Sequence, residues 1–304
     1  LDGKRAGRGS QDPLVHPYEE RYNSLMLNRV RAPIAAGTFY PADQTALRAT
    51  VDDLLGKTLQ HATGLMSAPA GLIVPHAGYS YSGGVAAAGY RCVAGLGRPE
   101  LVVLLGANHT GLGEPMSLSD DDAWETPLGC SPLDRPFVGQ LTAAGIPTSA
   151  EAFEREHSME VQLPFIQAIW GCDVPIVPIC ITSSAVAAME ERIEAIAQAI
   201  GDRQVLMVAS SDFTHYEPDA MARELDRLAL GPIQALAPGK FAQVYRQRRL
   251  SICGAGAILT LLKLCLQLGL HNGELVQYET SADVTGDRGA VVGYASVLFK
   301  MEGS

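Results

Sequence analysis

The stretch V-L-M-V-A-S-S-D-F-T-H-Y at residues 205–216 runs five apolar residues straight into a polar cluster that ends on a histidine. Apolar runs without polar alternation suit a strand buried on both faces, the condition inside a parallel sheet. The pattern recurs in L-I-V-P-H-A-G-Y at 72–79 and in V-V-L-L-G-A-N-H-T-G at 102–111. In open α/β sheets, ligands bind just beyond the carboxyl ends of the strands. Three such strands would bring His76, His109 and the Asp212/His215 pair to one edge. A single histidine so placed is commonly a satisfied structural residue; three at the same topological position argue for convergence on a site.

Outward from these runs the period changes. Residues 45–60 place Leu47, Val51, Leu54, Leu55 and Leu59 mostly three and four apart, an amphipathic helix. Residues 83–93, 161–170, 185–200 and 255–268 also read as helices, and residues 174–181 and 290–299 as strands. Alternating strands and helices predict an α/β fold whose central sheet, largely parallel or mixed, is flanked by helices. No composition break divides 31–304, so one domain is expected. Residues 1–30 are polar and aperiodic, and are expected to form a flexible or loosely docked leader, derived in part from cloning.

Composition narrows the function. Of 304 residues, 47% are hydrophobic and 18% charged, enough for a large core. Lys plus Arg number 23 against 33 acidic residues, a net charge of −10 that gives no overall field for nucleic acid or anionic lipid. Six cysteines are spread without a C-x-x-C pair, as in reduced intracellular proteins. The long charge-free stretch at 58–90 is broken by proline and glycine, so it is no membrane span. A cytoplasmic protein is expected, without nucleic-acid or membrane partners.

Imidazole suits zinc, copper, iron and nickel, and such a site needs at least a third ligand. Asp212, Cys253 in S-I-C-G-A-G-A, His157 in R-E-H-S-M-E and Glu160 are the candidates. Cys253 lies between Arg246, Arg248, Arg249 and a helix start, a setting expected to lower its thiol pKa; the alternative is a small buried hydrophobe. His157 and Glu160, three apart, would share a helix face, either as a metal arm or as a capping or paired turn. Gly83-Gly84 has no P-loop or dinucleotide motif around it and is expected to serve close helix–strand packing. There is no G-x-S-x-G elbow, which leaves hydrolysis through Cys253 or a serine as a minor option.

Several ordered motifs together resemble the Memo family (mediator of cell motility), whose prokaryotic relatives are protein B of the AmmeMemoRadiSam system. They are R-A-P-I-A-A-G-T-F-Y-P (31–41), V-P-H-A-G-Y-S-Y-S-G (74–83), L-G-A-N-H-T-G (105–111) and E-H-S-M-E-V-Q-L-P-F (156–165). S-S-D-F-T-H-Y (210–216), S-I-C-G (251–254) and T-G-D-R-G-A-V-V-G-Y (285–294) complete the set. The resemblance implies the fold of class III extradiol non-haem iron dioxygenases. By motif it places His76 and His109 on the two histidine ligands and His215 on the acid/base. Cys253 falls where those enzymes carry a glutamate, so ring cleavage is not implied.

Two functional expectations follow. In the first, His76, His109 and Cys253 hold iron or copper, with zinc as the further candidate, and His215 is the acid/base. Asp212, His157 and Glu160 are then supporting or alternative ligands, and the reaction is an O2-dependent oxidation of a small molecule. In the second, the pocket is a recognition module for a peptide or partner protein. The resemblance further implies AMME-syndrome-type and radical-SAM partners.

Overall fold

Residues 70–74, 101–107, 176–181 and 205–210 are buried at every position, and these four runs are the centre of the sheet. The structure is a computed structural model that describes residues 28–56, 64–183 and 189–301. In chain order its first half comprises β1 (Val30–Arg31), α1 (Gln44–Leu55), β2 (Ala70–Val74), α2 (Tyr79–Ala94), β3 (Leu101–Ala107), β4 (Met116–Leu118), β5 (Ala123–Thr126), β6 (Gly129–Pro132) and α3 (Arg135–Ala143). A short 3-10 turn (Glu160–Gln162) then leads into α4 (Leu163–Trp170), followed by β7 (Ile176–Ile181), α5 (Glu190–Ile200), β8 (Val205–Ser210) and β9 (His215–Glu217). The chain closes with α6 (Asp219–Gln234), α7 (Pro238–Arg248), α8 (Ala255–Gln267), β10 (Glu274–Thr280), α9 (Ala282–Thr285) and β11 (Val291–Phe299).

The main sheet has the order β10-β11-β2-β8-β3-β7-β4, with β9 paired to β11. The pairs β2–β8, β8–β3 and β3–β7 are parallel, whereas β11 and β4 join antiparallel. The sheet is therefore mixed, with a parallel centre. Because side chains alternate across a strand, Ile73, Val103 and Leu105 enter one core, with residues of α3, α5, α6 and α8. Leu72, Val74, Val102 and Leu104 enter the opposite core, with residues of α1, α2 and α4. Helices thus cover both faces, as expected. No helix among the described residues is long and apolar enough to cross a membrane.

Local chemistry sets the element ends. Asp43 caps α1 by accepting from Ala46 N at 2.8 Å, and the helix stops at Gly56 with φ of 81°. The helix expected to reach residue 60 is therefore shorter, and 57–60 lie outside the described residues, as do 185–188 of the helix expected at 185–200. The leader expected at 1–30 is described only from residue 28, where Val30 and Arg31 pair with β5. Helix–sheet packing expected at Gly83-Gly84 falls instead at Gly89. A Cβ there would meet Leu72 and Ser296 at 3.0 Å, whereas Gly83 faces Leu54 of α1.

One buried ion pair fastens β1 to the site loop. Arg31 donates to Glu160 Oε2 at 2.6 Å and to the Phe153 and Glu156 carbonyls, while Glu160 accepts from Ile34 N, Ala35 N and the Tyr40 hydroxyl. Removing one member of such a pair leaves a buried charge uncompensated, typically costing about 3–5 kcal/mol. Glu160→Ala should therefore lower the denaturant midpoint by a corresponding amount; a loss near that of a surface substitution would contradict this role.

Candidate metal centre

β8 lies between β2 and β3, so the turns after these strands are neighbours at one sheet edge. Pro75-His76 follows β2, Asn108-His109 follows β3, and Ser211-Asp212 follows β8. His76, His109 and His157 offer one nitrogen each, all within 4.8 Å of one another. The His76 and His109 rings meet edge-on at 5.1 Å, and His157 stacks on His109 at 4.9 Å. The loop residue His157 is thus a full member of the cluster. Phe39, from the segment anchored by Arg31 and Tyr40, stacks on its ring at 4.2 Å.

Hydrogen bonds fix which nitrogens are open. Ser210 donates its only hydroxyl proton to the Ser158 carbonyl at 2.7 Å, and it accepts from Gln162 Nε2 at 2.8 Å. It can therefore only accept from His76 Nδ1, 3.0 Å away, which leaves the His76 Nε2 lone pair free. His109 Nδ1 faces both oxygens of Glu156 at 3.0 and 3.1 Å, and the carboxylate also accepts from the His109 and Ser158 amides. Such a carboxylate–histidine pair is the usual way to orient an imidazole ligand. Sequence reading did not single out Glu156 or Ser210 for these roles. The acid beside His157 in R-E-H-S was the available signal, and its partner across the loop was not.

Cys253 Sγ lies 3.1 Å from His76 Nε2, on the turn before α8, and accepts from the Asp212 amide at 3.3 Å. Burial, and then the charge of Asp212, push this thiol far above its ordinary pKa. The expectation of a lowered pKa is thereby reversed: Arg246, Arg248 and Arg249 are exposed and leave burial to dominate. Asp212 Oδ1 accepts from the His76 and Ala77 amides at 2.8 and 3.3 Å and so braces the His76 turn. Glu160 spends both oxygens on Arg31, Tyr40 and two amides, away from the imidazoles.

His215 reaches this edge on β9, whose pairing with β11 slips at a bulge: Glu217 opposes Val291 and His215 opposes Val292. The extra residue, Tyr216, takes φ of 61°, a region bulky side chains avoid. Bulges re-aim neighbouring side chains; here Tyr216 is 78% exposed while His215 is half-buried. His215 Nδ1 sits 2.7 and 2.8 Å from the Phe213 and Ser251 carbonyls. Carbonyls only accept, so Nδ1 carries a proton, and in the neutral ring the lone pair is at Nε2.

The donor set fits a first-row transition metal. Ligand atoms about a tetrahedral ion with bonds of ~2.0–2.3 Å lie roughly 3.3–3.7 Å apart. His76 Nε2 and Cys253 Sγ, 3.1 Å apart, are close to that spacing; the imidazoles of His76, His109 and His157 lie within 4.8 Å of one another, a set that does not include the thiol. Electrostatics keep two of the three imidazoles neutral. Burial and the neighbouring His109 depress His76 to about 3, and burial and His76 depress His157 to about 4. Burial opposes the charged form of His109 too, but the Glu156 hydrogen bond and charge outweigh it and raise its pKa. Burial likewise opposes the Glu156 carboxylate, yet His109 and the Ser158 amide draw it down to about 2.

The sign of the pH effect follows. With folded values below 6.5, His76 and His157 bind fewer protons in the folded than in the unfolded metal-free chain. Their contribution is complete above pH 6.5 and is lost as pH falls toward 4 and 3. Unfolding free energy of metal-free protein should fall across that window, and less steeply in His157→Gln; equal slopes would contradict burial of a neutral His157. Glu156→Gln should weaken metal affinity roughly 10–100-fold in competition titrations, and an unchanged affinity would remove Glu156 from the site.

Residues 31–298 match the model of the family described as Memo-like protein. A MEMO1 family protein of Methanopyrus kandleri is 38% identical over 280 residues, covering 89% of this chain and 99% of its own. One from Pyrobaculum arsenaticum is 39% identical over 280 residues with the same coverage, and one from Nitrosopumilus maritimus is 35% identical over 278. The fold is also similar to that of an uncharacterized protein, JW3007, from Escherichia coli K12. The TM-score is 0.52 at 15% identity, covering 76% of this chain and 99% of that one, a likeness of fold alone. With the family model spanning nearly all described residues and relatives above one-third identity along their whole length, the chain belongs to the Memo family.

Proposed function

We propose that this chain is a redox metalloprotein in which His76, His109 and Cys253 bind iron or copper, His157 flanks the ion, and His215 moves protons. The observation that supports it best is the convergence of three imidazoles at the sheet edge where β2 and β3 end, with the Cys253 thiol 3.1 Å from His76 Nε2. When bound, iron or copper supplies electron transfer for the O2-dependent oxidation of a small molecule, the reaction class we assign.

The protein's own residues define the rest. Ser210 and Glu156 fix the ring orientation of His76 and His109 through their Nδ1 atoms, so little reorganisation accompanies binding. Cys253 is the soft donor; thiolate favours copper or zinc and alters iron's redox behaviour relative to a carboxylate. Because burial holds its proton tightly, loading must release that proton, and affinity should decline as pH falls. Phe39 covers His157, and His76 is only 3% exposed, which limits water at the imidazoles. With Nδ1–H bonded to two carbonyls, His215 can take a hydroxyl proton from substrate at Nε2 and return it later.

Elemental analysis of protein purified anaerobically, without an affinity-metal column, tests this reading. Near-stoichiometric iron or copper is expected. Cys253→Ala should lower it roughly tenfold or more, while His215→Ala keeps the metal and loses oxidation. Equal metal in Cys253→Ala and parent would overturn the ligand assignment. Failure to take up Fe(II), Cu(I) or Zn(II) would overturn the metal reading and favour a recognition pocket for a peptide or small molecule.

A further inference from the structure

Asp226, midway along α6, is a fully buried carboxylate outside the ligand cluster. Its Oδ1 accepts from the Thr214 amide at 3.0 Å and from the Thr214 hydroxyl at 2.6 Å, and its Oδ2 accepts from the Tyr278 hydroxyl at 2.7 Å. The loop it grips is clamped from the other side by β11. Phe213 N donates to the Gly293 carbonyl at 2.8 Å, and Gly293 N donates to the Thr214 carbonyl at 2.9 Å. A Cβ at Gly293 would overlap Asp226 Oδ2 and press on Phe213 Cβ, so only glycine lets β11 close over this carboxylate. Burying a carboxylate is expensive, and a well-packed apolar residue would serve stability as well or better.

What the grip controls is the residue next in sequence. Phe213 and Thr214 immediately precede His215, and the Phe213 carbonyl lies 2.7 Å from His215 Nδ1. We propose that Asp226 is a positioning residue for His215: by pinning Thr214 between α6 and β11, it holds the Phe213 carbonyl where it fixes the Nδ1–H tautomer and leaves Nε2 open. The Ser251 carbonyl, at 2.8 Å, is the second half of that cradle, and the Ser251 hydroxyl accepts from the His215 amide at 2.8 Å. Tyr278, from β10, locks Asp226 itself, so an edge strand far from the ligand cluster in sequence takes part in aiming the imidazole. This inference rests on the proposed acid/base role of His215.

Ring 15N NMR of the histidines tests it without relying on turnover. The parent should show His215 as a single Nδ1–H tautomer. Asp226→Asn keeps an acceptor toward Thr214 and should retain that tautomer. Asp226→Ala should lose it, giving mixed tautomers, while His109, oriented separately by Glu156, keeps its parental signals. Thr214→Val, which replaces the hydroxyl by a methyl and keeps the amide bond to Asp226, should give a partial loss and decides the matter if Asp226→Ala does not fold. Parental His215 signals in folded Asp226→Ala, or in Thr214→Val where the alanine variant fails, would overturn the positioning role. Failure of the acid/base reading would appear elsewhere, as full oxidation by His215→Ala with the tautomer results unchanged.

Discussion

The parallel pairing of β2, β8 and β3 is the constraint on which the rest depends. Strands that run the same way, side by side, must all turn at the same edge. Each turn here carries a polar residue that braces or binds across to the next. Asp212 after β8 holds the amides after β2, and Ser210 at the end of β8 orients His76 while its hydroxyl is tied to the Ser158 carbonyl. The central strand is therefore a support for its two neighbours, and the imidazoles on those neighbours meet in front of it. The remaining histidine of the cluster arrives on a loop, and that loop is held by the Arg31–Glu160 pair and the segment leading to Phe39.

This arrangement opposes local stability. Neutral imidazoles packed against one another and a buried thiol form a poor core, and two of the three histidines are kept from taking up protons at ordinary pH. Hydrogen bonding offsets part of that cost by giving His76 and His109 one satisfied nitrogen each. The other nitrogen of His76 faces the Cys253 thiol at 3.1 Å. Keeping such polar rings inward at the expense of stability is what the proposed metal binding requires and what core packing does not.

Much of this was legible in the sequence, and the reasons differ by residue. His76, His109 and His215 stood out because each follows an apolar run, and the ends of buried strands converge for topological reasons. Cys253 gained its place from motif resemblance, and its thiol was misjudged: the arginines near it in sequence point to solvent, and burial is invisible to a reading of neighbours. Glu160 looked like a companion of His157 by spacing, yet it pairs with Arg31, 129 residues away. Glu156 and Asp226 act across loop closures that periodicity does not encode. α6 and α7, with their exposed polar faces, and the edge strand β10 were likewise missed, since half-buried elements carry a weaker apolar pattern than the sheet centre.

The central claim is that imidazole nitrogens from the turns after β2 and β3 and the sulfur from the turn before α8 hold one metal ion. X-ray absorption at the metal edge of iron- or copper-loaded protein tests it most directly. The account predicts two or more imidazole nitrogens near ~2.0 Å and one sulfur near ~2.3 Å, with the sulfur shell gone in Cys253→Ala. A shell of oxygen ligands alone, unchanged in that variant, would contradict it.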